Sequence, residues 1–154
     1  MNYWIMKSEP SSFSIADLEQ APGRATCWDG VRNFQVRNML RDQCAVGDRA
    51  FFYQSSCAEP GIVGIMEICR AGYPEAAAFD PESGYYDPKG SRERPLWYGV
   101  DVRLLQRLPR PIPLSLLKQQ PGLEGLWILR RGNRLSVTPV TPEEGALILT
   151  LTAK

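Results

Sequence analysis

The sequence predicts an α+β domain, a small mixed β-barrel of about five to six strands with flanking helices. Its 154 residues, 44% of them hydrophobic, are enough for one hydrophobic core, so we expect a single domain over residues 1–154. Strand-like segments are separated by helical segments of only about 6–11 residues, without the regular order of a parallel βαβ sheet. Short strands in such a chain protect their edges by curling into a barrel.

The first strand and the first helix have clear local signals. Tyr3–Lys7 is rich in residues that favour strands, and Pro10 ends this region because it has no amide donor. Ser14 is typical of a helix N-cap, and Asp17 follows three residues later, as in a capping box. These residues predict a short helix over Ile15–Gln20.

A second helix and a second strand follow. The helix is predicted over Val31–Arg41. Within it, Asn33, Arg37 and Arg41 are four residues apart and therefore share one polar face. The strand is predicted over Arg49–Ser55, where the aromatic residues indicate burial.

The middle of the chain contains two further strands and a long connection. Gly61–Cys69 is predicted as a buried strand, in which Gly64 marks a bulge or a close backbone approach. Tyr98–Leu105 alternates in the period-2 pattern of a strand with one buried face. The segment Tyr73–Pro95 is longer than an ordinary connection and carries aromatic residues, so we expect an ordered, functional loop.

The last part of the chain predicts a helix, a strand and a final helix. Leu114–Gln119 is predicted as a short helix. Leu135–Val140 is predicted as a strand, and Pro139 places it at an edge or an end. Thr141 and Glu144 have the spacing of a capping box, which predicts that the final helix begins there.

Composition argues against most enzymes. The chain has no histidine, which removes Ser–His and Cys–His nucleophile pairs, His-ligated metals and the usual general base near neutral pH. No acid/base pair stands out otherwise, so we expect a protein that is not an enzyme and that needs no metal and no cofactor. The formal charge of +1 gives no global attraction for polyanions or membranes.

The cysteines and the hydropathy pattern indicate the compartment. No pair has C-x-x-C spacing, so we expect reduced thiols at Cys27, Cys44, Cys57 and Cys69. A signal peptide and a long apolar segment are both missing from the sequence. We therefore expect a soluble, intracellular, cytoplasmic protein without a membrane partner.

Two segments near the start of the chain could bind a ligand. Lys7 and Ser8 offer a cation and a hydroxyl at the end of the first strand, although a solvated strand end would look the same. Trp28 precedes a predicted helix N-terminus, with Arg32 and Asn33 beside it. An aromatic ring beside an amide suits a nucleobase, because an amide pairs with a base edge, but Trp28 could equally be a core residue.

Later segments add aromatic, hydroxyl and basic candidates. Tyr53 and Ser55 lie where the aromatic strand ends, and Tyr85 or its neighbour Tyr86 could fold a ring over a pocket. The alternatives are a core tyrosine and a loop anchor. Three arginines within five residues, at positions 130, 131 and 134, form a basic cluster that could also be a solvated turn.

Six blocks of sequence carry a resemblance to a known family. They are YWIMKSEP (Tyr3–Pro10), WDGVRN (Trp28–Asn33), FFYQSS (Phe51–Ser56), PGIVGI (Pro60–Ile65), YYDPK (Tyr85–Lys89) and RLSVTPVT (Arg134–Thr141). In this order, nearly end to end, they closely resemble the EVE domain family of the PUA-like superfamily. The resemblance implies a PUA-like barrel, related in fold to readers of methylated adenine and methylated cytosine.

The resemblance also implies a site, an aromatic-walled pocket for a modified base. Carried over by position, its base-pocket residues are Lys7, Ser8, Trp28, Asn33, Tyr53, Ser55, Tyr86 and Ser136. One departure is Gln54, where many relatives have a histidine. The neutral amide can still donate and accept, so binding need not be lost, but any pH dependence from that position would be.

Two functions of different classes follow. The first is a non-enzymatic, monomeric reader of DNA or RNA, in which an unpaired modified base stacks on Trp28 and is framed by Tyr53, Asn33 and Ser8. Flanking phosphates would be bound by Lys7 and by the arginines Arg32, Arg37, Arg130, Arg131 and Arg134. The alternative is a sensor that takes a free nucleobase, nucleoside or anionic metabolite in the same pocket.

Overall fold

The structure is a computed structural model that describes residues 1–152. The strands are β1 Tyr3–Ser8, β2 Ala25–Trp28, β3 Arg49–Gln54, β4 Gly61–Pro74, β5 Tyr98–Pro113 and β6 Val137–Val140. The helices are α1 Ile15–Gln20, α2 Phe34–Asp42, α3 Leu114–Gln119 and α4 Pro142–Thr152. Short 3-10 turns occupy Pro22–Arg24, Ala76–Phe79 and Trp127–Leu129. These elements confirm the predicted α+β class.

The strands form a mixed sheet of six strands in the order β2-β5-β4-β3-β1-β6. β1 runs parallel to β3, and the other neighbours are antiparallel. β6 lies at one end of this order, as Pro139 predicts. The mixed sheet and the upper end of the predicted strand count are therefore confirmed.

The sheet is strongly curled. Trp28 of β2 and Phe52 of β3 are three strands apart, which would separate them by about 14 Å in a flat sheet at ~4.8 Å per strand. Their ring centroids are only 5.5 Å apart, in an edge-to-face contact. Val137 of β6, at the opposite end of the sheet, belongs to the same buried cluster. The curvature therefore brings β2 and β3 around one interior. Among the described residues β2 and β6 are the two ends of the order and do not pair with each other, so the sheet is curled but not closed into a barrel.

Two hydrophobic clusters cover the two faces of the sheet. α1 and α2 close the first cluster, which contains Trp4 and Met6 of β1. α3 and α4 cover the second, which contains Ile5 from the same strand. Because successive side chains of a strand point to opposite faces, β1 contributes to both cores.

Several predicted boundaries were wrong. α2 begins at Phe34 and not at Val31, because Asn33 has an extended backbone and caps the helix. β2 was missed, since four residues are too few to show a period. β3 ends at Gln54 and β6 begins at Val137, each shorter than predicted.

β4 and β5 are much longer than predicted. Their ladder runs from Gly61 opposite Pro113 to Pro74 opposite Tyr98. Outer parts of both strands are exposed, so the alternation of apolar and polar residues fades there. Pairing between the two strands, and not burial, maintains these extensions. The start of the predicted loop at Tyr73 is therefore still strand.

Other local predictions are confirmed. α1 and α3 have their predicted bounds, and Ser14 and Asp17 form both bonds of a capping box. At Gly64 the strand register is irregular, and an added Cβ would lie 2.7 Å from Cδ1 of Ile15. This glycine therefore marks both an irregular strand and a close approach. In residues 1–152, the helices are too short or too polar to cross a bilayer.

Candidate functional site

A cavity of about 290 Å³ opens beside the end of β1. β1, the turn before α1, β2 with the residue after it, and the segment between β4 and β5 all contribute to it. Its lining residues are Lys7, Ser8, Ser12, Phe13, Thr26, Cys27, Trp28, Asp29 and Tyr85. The fold therefore brings together residues from four distant parts of the chain.

Trp28 and Ser8 line the cavity, and each side chain also contacts other residues of the protein. Trp28 is only 8% exposed and packs edge-to-face on Phe52, so most of its ring belongs to the core. The hydroxyl of Ser8 donates to the carbonyl of Phe13 at 2.6 Å. Because its proton is used in this bond, the Ser8 oxygen remains available to accept a hydrogen bond from a ligand.

Tyr85 provides the exposed aromatic ring of the cavity. Its side chain is 48% exposed and packs closely on the backbone of Gly30. Gly30 has φ of +76°, and an added Cβ there would lie 2.7 Å from the Tyr85 ring. The glycine therefore permits both the turn after Trp28 and the approach of the tyrosine.

Two charged side chains of opposite sign line the same cavity. Partial burial lowers the pKa of the Lys7 ammonium. Burial, followed by the nearby carboxylate of Glu75, raises the pKa of Asp29. In the described part of the chain, Lys7 takes part in no recorded ion pair. A cation and a carboxylate are thus available for a ligand with both acceptor and donor groups.

Cys27 gives the cavity a thiol that stays protonated. Burial raises its pKa to about 11. Since the thiolate is the nucleophile, this side chain behaves near neutral pH as a small, weakly polar group. All four cysteines are free thiols, as predicted.

The structure brings only part of the predicted base pocket together. Lys7, Ser8 and Trp28 line the cavity. Ser55 and Ser136 lie next to it through backbone bonds, in which the Ser55 amide donates to Ser8 at 3.0 Å and Ser136 accepts from Lys7 at 2.8 Å. These two serines hold the end of β1 in place and do not line the cavity.

The remaining predicted pocket residues lie elsewhere. The Asn33 side chain caps α2 by accepting from the Val36 amide at 3.0 Å. Tyr53 is 5% exposed and belongs to the second core, on the other face of the sheet. Tyr86 is exposed but does not line the cavity. The amide oxygen of Gln54 accepts from the backbone of Ile15, so it supports α1.

Sequence reasoning left Asp29 and Tyr85 out of the proposed pocket. The signal for Asp29 is its place directly after Trp28, in the block that resembles the family. Tyr85 and Tyr86 are adjacent, so the sequence alone does not say which of them faces the cavity. The contacts of Tyr85 with Gly30 and Arg32 distinguish it from Tyr86.

Two of the predicted phosphate-binding arginines are engaged within the protein. Arg32 forms an ion pair with Glu75 at 2.7 Å and donates to the carbonyl of Tyr85. Arg37 donates to the carbonyl of Leu96 at 2.8 Å and lies over the ring of Phe34. These bonds use donors that a phosphate would need.

The other three predicted phosphate ligands line a second, open cleft. Arg130 lies 4.8 Å from the centre of the Trp127 ring, and Arg131 and Arg134 are exposed beside it. The cleft has a volume of about 480 Å³ and also includes Gln35. Among residues 1–152, none of these three arginines forms an ion pair with a carboxylate. They remain free to meet an anion.

The curled mixed sheet and its aromatic-walled cavity define a class of small α+β domain, and comparison with known proteins identifies the family. The family model of the EVE domain matches residues 2–151. The chain therefore belongs to the EVE domain family, as its sequence blocks predict.

Relatives and solved structures agree with this assignment. The chain is 41% identical to human thymocyte nuclear protein 1 over 170 residues, covering 99% of this chain and 75% of that protein. A solved protein from Pseudomonas putida is 51% identical with a TM-score of 0.89, covering 97% and 99% of the two chains. Human thymocyte nuclear protein 1 (THYN1), solved in complex with DNA containing 5-methylcytosine, is 40% identical with a TM-score of 0.91, covering 100% and 99%.

The human relative is named as a nuclear protein. The cytoplasmic location expected from the sequence of the present chain therefore stays a prediction.

Proposed function

We propose that this protein is a non-catalytic reader of modified DNA, which holds a flipped base in the cavity, with 5-methylcytosine as the first candidate. The observation that carries the proposal is the fold shared with a human relative in complex with 5-methylcytosine DNA. The cavity supports it, because its volume of about 290 Å³ is at the lower end of ligand pockets, roughly 300–1,000 Å³. Such a space suits one nucleobase.

The polar residues of the cavity match the edge of a cytosine. Cytosine carries an exocyclic amino donor beside ring acceptors. The carboxylate of Asp29 can accept from the amino group, and the ammonium of Lys7 can donate to an acceptor. Ser8 offers a further acceptor. We propose this arrangement in place of a base framed by Asn33 and Tyr53.

The aromatic contact is assigned to Tyr85. Its ring is 48% exposed, whereas Trp28 is 8% exposed, so Trp28 forms a wall and Tyr85 supplies the accessible surface. Base flipping costs a few kcal/mol, and stacking returns about 1–3 kcal/mol per base. Hydrogen bonds to the base edge and phosphate contacts must supply the remainder. For the phosphates we propose the free arginines Arg130, Arg131 and Arg134.

The stacking role is tested by replacing Tyr85 with alanine. We expect Tyr85→Ala to weaken binding of a duplex with one 5-methylcytosine by roughly 5- to 150-fold, the equivalent of one lost stacking contact. Tyr85→Phe should retain most of the affinity, since the ring is unchanged. Fluorescence anisotropy with matched modified and unmodified duplexes measures the effect.

Tyr86→Ala is the matched control. This neighbouring tyrosine is also exposed but does not line the cavity, so its removal should leave affinity within about twofold of wild type. Equal losses from Tyr85→Ala and Tyr86→Ala, or no loss from either, would contradict the proposed pocket. Trp28→Ala is a poorer test, because removing a core tryptophan costs about 3–5 kcal/mol in stability.

The small-molecule sensor is separated by further arms of the same titration. Free 5-methylcytidine, the modified duplex and an RNA strand with the same modification are compared. A reader needs the flanking phosphates and binds the duplex far more tightly than the nucleoside. Saturation by free nucleoside at the same concentration would favour the sensor, and tighter binding of the RNA would make RNA the partner.

A further inference from the structure

We propose that Glu75 and Arg32 are positioning residues, an ion-paired latch that fixes both the Asp29–Gly30 turn and Tyr85 at the cavity before a ligand binds. The effect of the latch on DNA affinity rests on the proposed reader function, whereas its effect on the free protein does not. It assigns Arg32 a role inside the protein, in place of the phosphate contact that the sequence suggests.

Glu75 is a buried carboxylate at the end of β4. Its side chain is 1% exposed, and its amide donates to the carbonyl of Trp97 at 2.9 Å. One carboxylate oxygen, Oε1, accepts from the amide of Gly30. The other, Oε2, is 2.7 Å from Nη2 of Arg32. Glu75 thus binds the turn that carries Asp29 and the arginine that follows it.

Arg32 extends this contact to Tyr85. Its guanidinium lies 4.9 Å from the centre of the Trp97 ring and 5.4 Å from that of Tyr85. It also donates to the carbonyl of Tyr85 and, at 2.9 Å, to that of Val31. A planar group with several fixed donors can stack and bond at once, which the ammonium of lysine cannot do.

Aromatic packing anchors the latch to the helix behind it. Phe34, the first residue of α2, stacks on Trp97 with ring centroids 4.8 Å apart and an interplanar angle of 19°. The indole of Trp97 donates to the carboxylate of Asp87 at 2.8 Å. Three segments distant in sequence are therefore joined at Arg32 and Trp97.

The consequence for binding is preorganisation. Tyr85 is exposed and lies in a long connection, so an unattached ring would have to be ordered when the base binds. Ordering one such side chain costs a factor of about 2 to 12 in affinity. The latch removes that cost, and the Tyr85 side chain stays 48% exposed.

The experiment measures affinity for the 5-methylcytosine duplex at several salt concentrations, with Arg32→Gln, Tyr85→Ala and the double variant. We expect Arg32→Gln to weaken binding about 2- to 12-fold with an unchanged salt slope. In the Tyr85→Ala background it should have little further effect, because Glu75 still accepts from the Gly30 amide and the contact that Arg32→Gln removes is the one with Tyr85. Glu75→Gln, which keeps the shape but loses the ion pair, should behave like Arg32→Gln.

A direct phosphate contact gives the opposite pattern. Loss of one such contact lowers the salt slope by about 0.9, and its effect would add to that of Tyr85→Ala. Either result overturns the latch. Arg134→Gln is the matched control, since Arg134 is exposed in the second cleft and should lower the slope. If Glu75→Gln does not fold, Arg32→Gln decides the question alone.

A measurement without DNA separates the latch from the reader function. Amide hydrogen exchange of residues 83–87 should be faster in Arg32→Gln than in wild type, while the core strands are unchanged. If wild type binds no modified nucleic acid but exchange rises in this way, the reader function fails and the latch stands. Unchanged exchange in that segment overturns the latch whatever the protein binds.

Discussion

At the scale of single residues, the protonation state of Asp29 has a direct consequence for the proposed function. Its pKa is raised by burial and then by the carboxylate of Glu75, with Arg32 opposing the shift. Folding therefore favours its protonated form, so its contribution to stability is present at low pH and is lost as pH rises through the raised pKa. A base with an amino group needs the opposite, deprotonated form.

We predict that binding of the modified duplex weakens on acidification earlier than an ordinary aspartate would cause. As pH falls from about 7 towards the raised pKa of Asp29, which lies above the usual value of about 3.9, the acceptor is lost. Asp29→Asn should remove this dependence, since its amide oxygen accepts at every pH. Anisotropy titrations of both proteins across this range measure it, and an identical acid limb in Asp29→Asn would refute the role.

At the scale of elements, capping boxes set where α1 and α4 begin. Thr141 and Glu144 form both bonds of a capping box at α4, at 3.1 and 3.0 Å, and Ser14 and Asp17 do so at α1. α4 covers the second core through Ile148 and Leu151. Its first turn therefore contributes to the stability of the whole domain.

We predict that Thr141→Ala lowers the free energy of unfolding by about 1 kcal/mol, the usual value of an N-cap side chain. Thr150→Ala in the same helix is the control, because its exposed hydroxyl bonds only to the carbonyl of Leu147. We expect that change to be nearly neutral. Urea unfolding measures both, and equal losses would mean that the cap is not the cause.

At the scale of the whole molecule, the charge distribution matters more than the net charge of +1. Arg32 and Arg37 form ion pairs or hydrogen bonds within the protein. The second cleft instead brings together Arg130, Arg131 and Arg134, none of which forms an ion pair with a carboxylate among residues 1–152. Like charges held so close repel one another, and a bound phosphate would relieve this repulsion.

We predict that Arg131→Ala/Arg134→Ala flattens the salt dependence of duplex binding by up to about 2 in slope, at ~0.9 for each lost contact. Arg92→Ala/Arg94→Ala changes the net charge equally at exposed positions outside both clefts. That control should leave the slope near wild type. Equal slopes for the two double variants would show a general charge effect and remove the cleft from the interface.

The sequence by itself determined what depends on neighbouring residues. α1 and α4 begin at capping boxes, whose side chains bond to their own backbone within a few positions. α3 begins directly after Pro113, a residue whose fixed φ suits the start of a helix. Gly64 of β4 predicts a bulge or a close approach because glycine is unusual inside a strand, and the structure has both. The order of the six blocks was enough to predict the EVE family, and the family model confirms it.

Only the tertiary structure decided which candidates meet. The alternation of a strand shows that Tyr53 and its neighbours point to opposite faces of the sheet, but it does not show which face holds the site. In the structure Tyr53 lies in the second core, away from the cavity. Glu75 gave no local signal, because its partners Gly30 and Arg32 are more than 40 residues away. β5 places them together, because it pairs with β4 just before Glu75 and with β2 just before Gly30. Residues joined by long-range pairing carry no sequence signal of that contact, and the walls of this cavity are joined in that way.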